Sequence, residues 1–176
     1  MCEHISRTYY VIIGSRGTGK RLITYFIIDI STCLNQVING RKGTIVVNID
    51  EQTSPADIGF LVLESLGIRQ DDIGKVRPSP FFINVCRRYN STHTGEPLPL
   101  VVFEISTKTT EEAFIAVTKW CKWLSSDERV CGSMINVSSP LLAIALSTDR
   151  DARRVYIHVG PFTKEEAYQY AHILKT

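Results

Sequence analysis

The sequence lacks a long uncharged apolar run, a paired-cysteine motif and an excess of either charge, and each absence removes a class of function. No stretch of its 176 residues is apolar and long enough to span a bilayer, and residues 1–8 are polar, with no core that a translocon would read. A membrane partner is therefore not expected, and the cytoplasm or nucleus is the expected compartment. The five cysteines, at 2, 33, 86, 121 and 131, stand singly and form neither a CxxC nor a Cys/His cluster of metal-ligand spacing, which predicts reduced thiols. With 20 basic against 18 acidic residues, nothing in the overall balance calls for a nucleic acid or an anionic membrane, so any anion site must be local and nucleic acid is not an expected partner. The basic doublets Arg87-Arg88 and Arg153-Arg154 are short and have no aromatic stripe beside them. His4, His93, His158 and His172 are isolated, and no Ser-His-Asp or Cys-His order stands out. Asn90-Ser91-Thr92 and Asn136-Val137-Ser138 have the form of glycosylation triplets, but the second falls inside an apolar run and both read as chance.

What is present is an ordinary globular composition, 44% apolar and 22% charged, in a chain long enough to bury its own core as one domain over 1–176. Strand signals alternate with helical ones. The β-branched and aromatic run Tyr9–Ile13 stops at a glycine cluster, and a segment without Gly or Pro over 20–38 follows, closed by Asn39-Gly40. A second β-branched run covers 44–49. Ser54-Pro55 then opens a helix that runs to about Leu66 and stops at Gly67. Residues 70–79 read as a polar, proline-bearing connection, 80–89 as a helix, and 90–96 as a disordered loop. A strand over 98–105 precedes Thr109 and Glu112, which have capping-box spacing and predict a helix to about Ser125 with Ile115, Ala116, Trp120 and Trp123 as its buried stripe. Strands over 133–137 and 155–159 complete the set, with a short helix or loop over 140–146 between them. Thr163 and Glu166 open a last helix over 164–174. This alternation predicts an α/β fold: a parallel sheet of five strands wrapped on both faces by right-handed crossovers, a three-layer sandwich.

The first strand runs into Gly14-Ser15-Arg16-Gly17-Thr18-Gly19-Lys20, which has GxxxxGK spacing between a strand and a helix, the context a phosphate-binding loop requires. Glycines permit positive φ, so successive N–H groups can point at a phosphate, and the following helix adds the positive end of its dipole. Lys20 would supply a full charge to the β- and γ-phosphates. The alternative is a glycine-rich turn with an exposed lysine. Arg21 departs from the pattern, because this position normally holds a Ser or Thr hydroxyl that ligates Mg²⁺. Arginine cannot ligate a cation; it either reaches the phosphates itself or points to solvent, and Thr24 is a distant substitute hydroxyl.

Glu104 ends the apolar run Leu100-Val101-Val102-Phe103, where an enzyme with such a loop carries an acidic residue that holds magnesium. Glu104 is thus the candidate metal-side carboxylate and, with Lys20, the candidate catalytic pair; a strand-end carboxylate at the sheet edge is the alternative. The next position, where a water-activating carboxylate would stand, is Ile105, which has no proton chemistry.

The glycine loop, the Pro99-Leu100-Val101-Val102-Phe103-Glu104 strand, the Met134-Ile135-Asn136-Val137-Ser138-Ser139 strand and the ending Val155-Tyr156-Ile157-His158-Val159-Gly160-Pro161-Phe162-Thr163-Lys164-Glu165-Glu166-Ala167 together resemble the AAA-like ATPases of the STAND and archaeal-ATPase type, with spacing most like the P-loop domains of Crinkler-type effectors. The resemblance implies strands in the order 5-1-4-3-2, nucleotide phosphates on Gly14, Ser15, Arg16, Gly17, Thr18, Gly19, Lys20 and Arg21, and a polar sensing residue at the end of the fourth strand, Ser138 or Asn136. It also draws attention to Arg150, Arg153 and Arg154, where related ATPases place an arginine that reaches a neighbouring subunit, against the alternative of a solvated turn offset by Asp149 and Asp151. The helical lid that usually follows the last helix is not expected. With no guanine-reading pattern, ATP is the expected nucleotide, with Mg²⁺ in doubt because of Arg21. The function expected is ATP binding with weak or lost hydrolysis; the alternative is a degenerate P-loop fold acting as a protein-interaction or effector module, with a protein partner or a second copy of the chain.

Overall fold

The computed structural model describes residues 8–14, 18, 43–68, 70–73, 77–96, 98–139, 141, 142, 144, 153–161 and 163. The helices expected over 20–38 and 164–174 lie outside the described residues. Five strands, β1 (Tyr9–Ile13), β2 (Thr44–Ile49), β3 (Leu100–Ile105), β4 (Gly132–Val137) and β5 (Arg154–His158), form one sheet in the order β2-β3-β4-β1-β5. Every adjacent pair is parallel. This is the strand order implied by the resemblance, and β1 and β2 have the limits expected from their β-branched runs.

The central strands are buried on both faces and so read as apolar runs, whereas the edge strands β2 and β5 carry exposed residues. Alternation along each strand sorts the side chains. Tyr9, Val11, Val47, Ile49, Val101, Phe103, Ile105, Ile135 and Val137 share one cluster, while Ile12, Leu100, Val102 and Met134 form another. Onto the first pack α1 (Ile58–Glu64) through Ile58, Val62 and Leu63, α3 (Pro78–Thr92) through Phe82, Ile83 and Cys86, and α4 (Glu111–Lys122) through Phe114, Val117 and Cys121. A fully buried side chain of this kind contributes about 1.5–3 kcal/mol. One helical turn, α2 (Gln70–Ile73), lies between α1 and α3.

Several helix limits differ from expectation for local reasons. Helix α1 begins at Ile58 because the Asp57 carboxylate accepts hydrogen bonds from both N–H and Oγ of Ser54, at 3.0 and 2.6 Å, closing a turn over the Pro55 position before the helix starts. It ends at Glu64, about two residues before the expected limit, and the stop at Gly67 is as expected: Gly67, at φ 79°, donates to the Glu64 carbonyl while Ile68 donates to that of Leu63, a Schellman pair that suits glycine. The connection over 70–79 contains α2 and the start of α3, with Pro78 in its first turn. Residues 90–92, expected in a disordered loop, belong to α3; Asn90 Nδ2 donates to the Val130 carbonyl at 2.9 Å, and the His93 ring stacks on Tyr89 with centroids 4.2 Å apart. The Tyr89 ring also fixes Gly43, where a Cβ would lie 2.8 Å from the phenol.

Helix α4 starts one residue later than its capping-box reading. Thr110 is the N-cap, its hydroxyl accepting from Ala113 N at 3.3 Å. The Thr109 hydroxyl instead donates to the Ile49 carbonyl at 3.0 Å, tying the helix entry to the end of β2. The buried stripe is Ala113, Phe114, Val117, Thr118 and Cys121; Ile115 is 43% exposed, and Ala116, Trp120 and Trp123 are partly buried. Past Lys122 the helix widens into a π-helical turn, Trp123–Asp127, which brings the consecutive residues Leu124, Ser125 and Ser126 all into the interior.

Candidate functional site

In a parallel sheet all carboxyl ends lie together, and ligands of open α/β folds bind there. Strand β1 delivers Gly14 to that edge between two neighbours. Gly14 N donates to the Val137 carbonyl of β4 at 3.3 Å, and Val159 N donates to the Ile13 carbonyl at 2.8 Å. The start of the glycine loop is thereby held by the strand on either side. Thr18 is buried, whereas Ser15, Arg16, Gly17, Gly19, Lys20 and Arg21 lie outside the described residues.

Along the neighbouring strands one register row carries the polar groups. Asn48 of β2 stands opposite Glu104 of β3, and Glu104 stands opposite Asn136 of β4, which in turn stands opposite Ile12 of β1. Asn136 is 2% exposed and donates from Nδ2 to Glu104 Oε1 at 2.7 Å. The ionised carboxylate can only accept, so the amide orientation follows from its partner. Glu104 is half-buried, so it is neither a fully solvated edge carboxylate nor sealed in the core. The neighbouring Ile105 is 4% exposed and belongs to the core on the other face. Ser138, half-buried, directly follows the β4 residue that accepts from Gly14. Of the two residues offered as a sensor, Asn136 is the one bonded to Glu104.

Two groups at this edge were not anticipated. The Asp50 carboxylate, just past β2, accepts from Thr53 Oγ1, Gln52 N and Thr53 N within 3.0 Å. These bonds, the Thr53 hydroxyl foremost, hold its carboxyl below the ordinary aspartate pKa against the opposing effect of desolvation. Lys108 pairs with Glu51 at 3.1 Å across the β2 and β3 ends. The spacing of Asp50 and Thr53, with a strand before them, was the signal available in the sequence.

The arginine doublets come apart in space. Arg153 pairs with Asp127 at 2.8 Å; Asp149 and Asp151, the expected counter-charges, lie outside the described residues, as does Arg150. Arg154 turns inward, 8% exposed, donating from Nε to Tyr9 Oη at 2.7 Å and from Nη1 to Tyr156 Oη at 2.9 Å. Burial works against its charge, but the two phenol oxygens outweigh it and hold the guanidinium protonated. Since Arg154 is opposite Tyr9 at the start of β1, both arginines sit at the amino end of the sheet, away from Gly14.

As a donor set for magnesium the described part of this edge is thin. It offers the Glu104 carboxylate, with one oxygen engaged by Asn136, beside a buried isoleucine. Among the described residues no three His, Cys, Asp or Glu side chains converge to hold a metal ion, and no helix is long and apolar enough to cross a membrane.

No protein-family model and no curated protein matches this chain. Solved structures do. The ORC2 protein of Aeropyrum pernix, in ADPNP and ADP complexes, superposes with a TM-score of 0.57 at 12% identity, covering 96% of this chain and 46% of that one. Cdc6p from Pyrobaculum aerophilum gives 0.57 at 12% identity, with 94% and 43% covered. Drosophila ORC bound to DNA gives 0.57 at 17% identity, with 93% and 40% covered. The chain spans less than half the length of each of these neighbours. At such identities the likeness concerns architecture: the chain has the α/β fold of P-loop NTPases, a five-stranded parallel sheet with helices.

Proposed function

We propose that the chain binds ATP at the loop from Gly14 to Arg21 and hydrolyses it weakly or not at all. The observation that carries this reading is the position of Gly14, pinned between β4 and β5 at the carboxyl edge, with the Glu104–Asn136 pair across β4 from it. Lys20 and the loop amides would hold the β- and γ-phosphates, and Arg21 would add charge where a metal-ligating hydroxyl normally stands. Ser138 follows the β4 end nearest the loop and would report on the γ-phosphate. The A. pernix protein of the same fold was solved with ADPNP and ADP, which supports a nucleotide as the ligand.

The limit on chemistry comes from Arg21 and Ile105. The first removes a metal ligand and the second a general base, and each loss typically costs several kcal/mol of transition-state stabilisation. The proposed activity is therefore nucleotide binding with turnover near background. The finer affiliation with STAND and Crinkler-type domains rests on the four motifs alone and is proposed with it. The second reading, an interaction module that takes no nucleotide, draws on the same two departures.

Calorimetric titration of ATP and ADP, with and without Mg²⁺, on the wild type and Lys20→Ala decides between them. Binding that is equal with and without the metal and lost in Lys20→Ala is the expected result. No heat for either nucleotide at millimolar concentration would overturn the nucleotide reading and leave the interaction module.

A further inference from the structure

We propose that the amino end of the sheet, opposite the glycine loop, carries a binding surface for the sugar–phosphate backbone of a nucleic acid. The topology gathers its cations. Helices α3 and α4 each run toward the starts of the next strands, so Arg87 and Arg88 late in α3, Lys119 and Lys122 in the last turn of α4, Arg129 beyond the π-helical turn and Arg153 before β5 come to one end. All six are exposed. The segment 127–130, which carries Arg129, is joined to two more of them: Glu128 pairs with Arg87 at 2.9 Å and the neighbouring Asp127 pairs with Arg153 at 2.8 Å, while Asn90 of α3 binds the Val130 carbonyl.

Six cations face Asp127, Glu128 and, past the end of α3, Glu96, in a chain whose 20 basic and 18 acidic residues otherwise nearly balance. Helix C-termini attract cations, which accounts for Lys119 and Lys122. It does not account for Arg129. This residue sits at φ 54°, the one non-glycine positive φ among the described residues. Such a conformation costs a side-chain-bearing residue roughly 1–2 kcal/mol. Its guanidinium uses Nε for the Ser126 carbonyl at 3.4 Å and remains exposed. An arginine held where glycine would be unstrained points to work done by its charge. Four of the six cations are arginines, whose planar forks match phosphate oxygens. No large exposed apolar side chain belongs to 119–130 or to the end of α3, so this stretch lacks the apolar wedge a membrane surface would require; the exposed Val155 and Tyr156 lie beyond Arg153 along β5. The sequence concealed this surface by pairing Arg153 with the wrong neighbour, Arg154, which is buried.

The test is fluorescence anisotropy of a labelled 20-nucleotide single strand and its duplex, at 50 and 200 mM salt. The wild type is expected to bind at least one of them, with log K falling linearly in log salt as phosphate counterions are released. Arg88→Glu/Lys122→Glu/Arg129→Glu should bind about tenfold more weakly, while Lys20→Ala binds as the wild type does. Should the triple variant melt early by circular dichroism, Arg88→Gln/Arg129→Gln supplies the comparison, with a smaller loss in the same direction. The proposal is overturned if neither oligonucleotide binds at 50 mM salt, if the charge variants bind as well as the wild type, or if binding is lost in Lys20→Ala alone. Charge-dependent binding to vesicles of phosphatidylserine with none to either oligonucleotide would also overturn it, in favour of a membrane surface. Loss of ATP binding would leave this surface unaffected, so the two readings fail separately.

Discussion

Asn136 and Glu104 are joined across the β3 and β4 ends by a 2.7 Å hydrogen bond from an amide that is almost fully buried. A hydrogen bond to a charged group contributes about 1.5–3 kcal/mol. Asn136→Leu keeps the volume and removes the donor, so chemical denaturation should show a loss in that range. Asn136→Asp places a second carboxylate beside the first, which raises the folded-state pKa of the pair above its unfolded value. The variant's deficit is therefore largest at pH 7 and shrinks as pH falls through that raised value. A deficit independent of pH between 7 and 5 would show that the two groups do not share one field.

The threonines at the entry to α4 should separate by mechanism. Thr110→Ala removes an N-cap and should cost about 1 kcal/mol, recovered largely by Thr110→Ser or Thr110→Asp. Thr109→Ala leaves the Ile49 carbonyl without that donor, and Thr109→Asp should not rescue it, because a carboxylate cannot donate. Thermal melts of the five variants check the pattern; rescue of position 109 by aspartate would restore Thr109 as the cap.

This pair shows what the sequence could and could not convey. Strands β1 and β2 were legible because β-branched and aromatic residues fill every position but Asn48, and Gly14 and Asp50 stop them. The entry to α4 was displaced by one residue because the Thr109 hydroxyl is taken by a carbonyl 60 residues away in sequence. Likewise α3 extends past Tyr89 because Asn90 finds Val130 across the fold. At the candidate site, the glycine loop and Glu104 are proposed from local pattern, and Asn136 was offered only as one of two sensors. Its bond to Glu104 is a matter of strand register, which no local window contains.

Three of the cysteines, Cys86, Cys121 and Cys131, are free and buried. Cys131 shares a hydrogen bond with Cys86, and that contact together with burial pushes its thiol well above the ordinary range; Cys121, fully buried beside Ser133, is pushed up by burial. Since the thiolate is the nucleophile, neither should react with iodoacetamide at pH 8 in the folded protein. Peptide-level mass spectrometry should find Cys86, Cys121 and Cys131 unmodified until denaturant is added. Modification of Cys121 at the rate of a free thiol would contradict the packing of α4 on β4.

The loop after β2 should respond to acid. Asp50 has a depressed folded pKa, so its contribution is complete above the unfolded value of 3.8 and is lost as pH falls through the lower folded one. Carbon-detected NMR should place its carboxyl titration below 3.8. Thr53→Val removes the hydroxyl bond, the largest cause of the depression, and should move the midpoint upward. An unchanged midpoint in that variant would assign the depression to the Gln52 and Thr53 amides instead.

Arg129 should reveal a conflict between stability and charge. Glycine adopts positive φ without the steric cost that a Cβ incurs, so Arg129→Gly removes strain at φ 54°. It also loosens the unfolded chain and deletes the bond from Nε to the Ser126 carbonyl, which is long at 3.4 Å and therefore weak. The balance favours the variant by several tenths of a kcal/mol, seen as a higher melting temperature. Arg129→Ala keeps the strain, loses the bond and should melt below the wild type. If the cationic end of the sheet binds nucleic acid, the more stable glycine variant binds it less well, and the two measurements move in opposite directions. A glycine variant that is less stable than the wild type would show that the arginine side chain contributes more to the fold than its backbone conformation costs.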